Sequence, residues 1–252
     1  MGLDLYAGSL ARYHTGAWET IMQRTAREQG MKVNIVYADG APTRLSTQDA
    51  ALMVSGWRDQ LQSKYRIPNG LSWSESSSAP YWSDKPDHDG QRALVLATAY
   101  AEHPELDLPT TLPDEVEDDP AYIAASGDYF SSAIAILECH MFLPSEEIFI
   151  FLEHDAVGVK RVTTSTANLA RSLDRINGFY WRASSDQLAE WLRRGPAGPG
   201  TAMEIEAGKL VHHKKVLPSG NSFQHSAQFG FAIYNEALIF SRAHNVPIMT
   251  DE

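Results

Sequence analysis

The chain has 252 residues, 43% of them hydrophobic and 21% charged, enough apolar surface to build a core and to exclude a wholly disordered chain. Its formal net charge of −11 has the wrong sign for holding a phosphate backbone, so no nucleic-acid partner is expected. A single cysteine, Cys139, allows no internal disulfide and favours a reducing compartment.

In chain order, the opening MGLDLYAGSLARY shows no basic leader ahead of an apolar run, and Tyr6 stands where a myristoylation motif needs Ser or Thr. Leu3–Tyr6 alternates around Asp4 and predicts a short strand. Helical spacing of Leu10, Tyr13, Trp18, Ile21 and Met22 predicts helix as far as Gly30, with a break at Gly16 and a restart capped by Thr15. The alternating, β-branched run 31–37 predicts a second strand, followed by a turn at 39–42. A long helix over 47–65 is capped by Ser46 or Thr47, with Ala50, Val54, Trp57, Leu61 and Tyr65 on one face.

Residues 68–90 lack either periodicity and predict a long loop, before helix resumes near His88 and runs to Glu102. A second loop covers 103–120, and helix is predicted over 122–143. Ile148–Leu152 and Gly158–Val162 form a hairpin around His154, Asp155 and Ala156. Helices follow over 165–176 and 184–194, then a third loop over 195–221, then a well-buried element over 223–244. No apolar run is long enough to cross a bilayer, so no membrane partner and a cytoplasmic location are expected. Strands separated by runs of helices predict an α+β fold: one mostly helical domain over 1–252 with a small mixed or antiparallel sheet.

Most catalytic and metal motifs fail on inspection. Asp84, Asp87 and Asp89 before Gly90 suggest a calcium loop, but that alignment puts Lys85 first and Leu96 twelfth. The same carboxylates with His88 read as a looser metal site or, more simply, as caps on the following helix. Cys139 and His140 would point about 100° apart on a helix, and His212–His213 reads as a solvated turn. Gly195–Gly200 lacks the Lys-Ser/Thr of a phosphate loop, and no HExxH, Gly-x-Ser-x-Gly or paired cysteines occur. No metal and no cofactor are therefore expected.

Two segments stand out. The 73–89 loop carries Trp73, Tyr81 and Trp82 beside Glu75, Asp84, Asp87 and His88, and large aromatic rings on a loop either plug the core edge or grip a partner. Residues 102–119 hold Glu102, Glu105, Asp107, Asp114, Glu115, Glu117, Asp118 and Asp119 with no Lys or Arg, either as a solvated loop or as a contact surface for a basic partner. Asp4, Tyr6, Tyr13 and His14 make a further candidate cluster, where a strand end meets a helix start.

The M-G-x-D-L-Y-A-G opening resembles that of a family of uncharacterised bacterial proteins. The resemblance covers about the first dozen residues; it implies a bacterial cytosolic protein and carries over no catalytic residue. Small acidic bacterial proteins without an active site are often immunity proteins, an analogy of size and charge. Two functions are therefore expected in order. The first is a non-catalytic binding protein of the immunity type, using Trp73, Tyr81, Trp82, Asp84, Asp87, His88, Asp114, Glu115, Glu117 and Asp118 against a basic protein partner. The alternative is a small-molecule enzyme, a hydrolase with acid–base residues at 84–89. The sequence sets no oligomeric state.

Overall fold

A computed structural model describes residues 4–31, 45–128, 131–196, 201–206, 209–214 and 222–251. The predicted turn at 39–42 lies outside them, as does the predicted strand at 31–37 apart from Met31. The fold is α+β, dominated by helix, with a mixed six-stranded sheet and a separate hairpin. Its residues group into two compact units: Met1–Lys85, Glu138–Arg171 and Asn235–Glu252 in the first, Pro86–Leu137 and Ser172–Tyr234 in the second. None of the helices in the described residues is long and apolar enough to cross a membrane.

The first unit holds the sheet. Its strands are β1 (Asp4–Ala7), β2 (Trp82–Asp84), β3 (Met141–Leu143), β4 (Ile150–His154), β5 (Lys160–Ser165) and β8 (Ile248–Asp251), in the spatial order β2-β1-β8-β3-β5-β4. Only β3 and β5 pair in parallel; the other neighbours are antiparallel. Because side chains alternate across a strand, Tyr6, its partner Met249 and in turn Met141 fall on one face. They pack with Val54, Trp57 and Leu61 of α3 (Thr47–Tyr65) into one core cluster. Ser46 caps α3 by accepting from Asp49 N, and Arg66 in the left-handed region ends it. Trp57 Nε1 donates to His154 O at 2.8 Å, fastening the helix to the end of β4.

Three features correct the sequence expectations here. Met141–Leu143 is a central strand and not the end of a helix; it is buried throughout, so it shows no alternation that would mark it as β. Ile248–Asp251 is a further central strand, β8, lying between β1 and β3, where the sequence predicts no element beyond the helix that ends at His244. The N-terminal helical stretch is broken as expected into α1 (Leu10–His14) and α2 (Ile21–Glu28), and what changes is the cap. Thr15 closes the first, and Thr20 with Gln23 forms a capping box for the second.

The second unit contains α4 (His88–Glu102), α5 (Pro120–Ser126), α6 (Ile134–Leu137) and α8 (Ser185–Arg194). It also takes the C-terminal part of α7 (Thr166–Ile176), a π-helical turn over Asn177–Trp181 and the N-terminal part of α9 (Ser222–His244). Where a loop was expected over 195–221, β6 (Thr201–Glu206) and β7 (Lys209–Lys214) form a hairpin, with His212 paired to Met203 and His213 to Ala202. The core is rich in small residues, with Ala93, Ala97, Ala121, Ala125 and Ala227 around Leu96, Tyr100, Val116 and Phe223. Small side chains let helix backbones approach closely, and Gly90 and Gly230 mark the tightest point.

Candidate functional site

The aromatic loop of the first unit folds inward. Trp73 is buried; Arg58 lies over its ring at 5.1 Å and donates through Nη1 to its carbonyl at 2.8 Å. Trp73 Nε1 donates to Glu75, whose other oxygen accepts from Ala11 N at 2.7 Å at the start of α1. Glu75 is thus a half-buried carboxylate fixed by backbone and indole donors. Burial raises its pKa above the ordinary carboxylate value, and those three donors (Ala11 N, Trp73 Nε1 and Leu10 N) oppose the rise. Tyr81 is half-buried, accepts from Glu19 N at 3.2 Å and has Arg12 over its ring at 4.8 Å. Trp82 opens β2 opposite Ala7, also half-buried, and Asp84 closes it opposite Leu5.

The Asp4, Tyr6, Tyr13 and His14 cluster is drawn together, and it recruits partners that the sequence did not suggest. Tyr6 is fully buried and donates to Ser9 O at 2.9 Å. Tyr13 donates to Asp251 Oδ1 at 2.7 Å, and Asp251 stands directly opposite Asp4 in the sheet. Burial raises Asp4 and Asp84; at Asp4 the Lys85 ammonium opposes this while Asp251 and Asp84 add to it. His14 packs edge-on to Tyr13 with ring centroids 5.3 Å apart. Burial lowers its pKa, with Asp155 opposing and Arg161 reinforcing that effect. Asp155 sits in the predicted hairpin turn and Arg161 in the predicted second strand of that hairpin, now β5; the sequence shows their charge but not their nearness to His14.

In the second unit, Asp87 adopts a positive φ of 63° and its own Oδ1 accepts from His88 N at 2.6 Å, which caps α4. The His88 side chain is 66% exposed, with Nδ1 3.9 Å from Asp89 Oδ1. The helix-cap reading accounts for Asp87, while His88 faces solvent.

The acidic stretch divides into structural and outward-facing carboxylates. Glu102 belongs to α4 and pairs with Arg175 Nε at 2.7 Å, and Glu105 pairs with His103 at 3.2 Å. Asp119 caps α5 by accepting from Ala121 N at 2.8 Å, and it accepts from Tyr100 Oη at 3.2 Å. Tyr100 is pushed up to about 12 by burial and by that carboxylate. Asp107, Asp114, Glu115, Glu117 and Asp118 are exposed, and their side-chain carboxylates make no hydrogen bond or ion pair with the described residues. Between them Val116 is buried, and Arg92 of α4 donates to the carbonyls of Pro113, at 2.8 Å, and Asp114. The loop is therefore pinned from beneath by one apolar and one cationic side chain, while Asp114, Glu115, Glu117 and Asp118 form a carboxylate ridge above.

Among the described residues, no group of three or more His, Cys, Asp or Glu is placed to hold a metal ion. Burial pushes the Cys139 thiol up to about 12, which keeps it from forming a nucleophilic thiolate near neutral pH. No family model, no curated protein and no solved structure matches the chain.

Proposed function

We propose that this chain is a non-catalytic bacterial cytosolic binding protein of the immunity type, whose acidic ridge at 114–118 engages a basic protein partner. The observation that carries this reading is the pinning of the ridge by Val116 and Arg92. A carboxylate set held by a buried anchor and two carbonyl–guanidinium bonds loses less conformational freedom on binding than a free loop would. Concentrated negative charge accelerates encounter with a basic partner and selects against acidic ones. Trp73 and Tyr81 support their own unit through core contacts, so the ridge rather than the aromatic loop takes the leading role in this reading.

The test compares the full chain with the D114N/E115Q/E117Q/D118N variant, each immobilised and exposed to lysate of the source bacterium at low and moderate salt. A discrete basic protein retained by the native chain, weakened by salt and lost with the variant, is the expected result. Identical retention by both proteins, or nothing retained at low salt, overturns the proposal. Because these four carboxylates make no intramolecular bonds among the described residues, their neutralisation leaves the fold intact.

A further inference from the structure

A cavity of about 370 Å³ opens in the first unit where α7 begins and α9 ends, lined by Pro144, Ser145, Glu146, Thr166, Arg242 and Asn245. Most of its polar floor is already committed. Thr166 Oγ1 accepts from Ser145 N and donates to Ser145 O, both at 3.4 Å, and Ser241 Oγ, also at the wall, donates to Val246 O. Asn245, held at a φ of 50°, donates through Nδ2 to Ser72 O at 2.7 Å, which leaves Oδ1 as its spare acceptor.

The unspent capacity lies in two opposite charges. Neither the Arg242 guanidinium nor the Glu146 carboxylate makes a hydrogen bond or ion pair with any described residue, and they do not pair with each other. A guanidinium alone would suit any small anion, but Glu146, lining the same cavity, repels one; a carboxylate alone would suit a cation, but Arg242 repels that. A ligand carrying both charges satisfies both walls at once, and Asn245 Oδ1 supplies a further acceptor for an ammonium proton. The volume is at the small end of ligand cavities, the size of an amino acid or a dipeptide. We propose that this cavity binds a small zwitterion of the free α-amino acid class, its carboxylate on Arg242 and its ammonium on Glu146 and Asn245. This site is independent of the acidic ridge.

The experiment is a ¹⁵N–¹H titration of the full-length chain with glycine, L-alanine, L-glutamate, L-lysine and glycylglycine, each to about 50 mM. Acetate and ethylammonium serve as single-charge controls. At least one zwitterion is expected to shift the backbone amides of Ser145 and Thr166 and the side-chain amide of Asn245 saturably. R242Q and E146Q should each weaken that binding about tenfold, the loss of one charge-assisted contact. Both side chains stand at the surface, and an otherwise unchanged spectrum verifies that the variants fold. Absence of any saturable shift across the five zwitterions overturns the proposal. So does acetate binding as well as the best zwitterion, or either variant binding like the native chain.

Discussion

Arg161 Nε donates to Asp155 Oδ2 at 2.9 Å, and the Asp155 side chain is only 1% exposed. The other carboxylate oxygen accepts from Val157 N at 3.0 Å and Val159 N at 2.9 Å, so a single Asp organises the β4–β5 turn and neutralises the arginine beside it. Removing only the cation leaves a buried charge without its partner. R161M is expected to lower stability by about 3 kcal/mol in urea unfolding. D155N keeps an acceptor for the turn amides and should cost less, and R161M/D155N less than the sum of the two. An R161M protein as stable as the native one would show that the pair contributes nothing.

His14 is expected to make the first unit sensitive to mild acid. Its Nε2 is buried and makes no hydrogen bond with the described residues, and burial holds its pKa below the value of 6.5 for an exposed imidazole. The unfolded chain therefore takes up a proton first as the pH falls. Stability is expected to decline from about pH 7 downward through 6.5, with the loss complete once the folded His14 also titrates. H14Q should flatten this part of the stability profile relative to the native protein. Equal slopes for both proteins in denaturant titrations between neutral and mildly acidic pH would assign the sensitivity to other groups.

Glu75 works in the opposite direction. Its folded pKa lies above the ordinary carboxylate value, so the folded state holds the proton more tightly than the unfolded chain. Its contribution is full below that ordinary value and declines as the pH rises towards the folded pKa. E75Q should remove this decline while keeping an acceptor for Ala11 N. E75A removes the acceptor from both Ala11 N and Trp73 Nε1, and is expected to cost about 1–3 kcal/mol at neutral pH. Parallel pH–stability curves for E75Q and the native chain would contradict the burial argument.

These residues also show where sequence reading succeeds. The α3 face of Ala50, Val54, Trp57 and Leu61 was legible because a helix on a sheet exposes one side, which leaves a periodic trace. β3 and β8 were not: β3 is buried and apolar at every position, which resembles the end of a helix, and β8, with only four residues of which Thr250 and Asp251 are polar, is too short to show a period. The acidic stretch was legible as charge, but its division into caps, an ion pair and an outward ridge depends on Tyr100, Arg92 and Arg175, which sit elsewhere in the sequence. The polar cluster around Tyr13 and His14 was half legible: its N-terminal members share one local segment, whereas Asp251, Asp155 and Arg161 arrive only through sheet pairing and hairpin folding.

Gly90 and Gly230 look interchangeable in sequence, each a glycine inside a helix, but the packing of α4 against α9 separates them. A Cβ on Gly230 would be driven into the backbone carbonyl of Gly90, far inside van der Waals contact, and a helix backbone cannot yield locally as a flexible side chain can. A Cβ on Gly90 would instead meet Phe229 Cδ1, Gly230 N and Ser226 O at 3.5 Å, an ordinary contact distance. G230A should therefore force the helices apart and destabilise the second unit by about 1–3 kcal/mol. G90A should be neutral or stabilise by up to about 1 kcal/mol, since alanine is the better helix former. Thermal unfolding of the two variants checks the pair, and a G230A protein as stable as G90A would mean that the helices do not cross as closely as this.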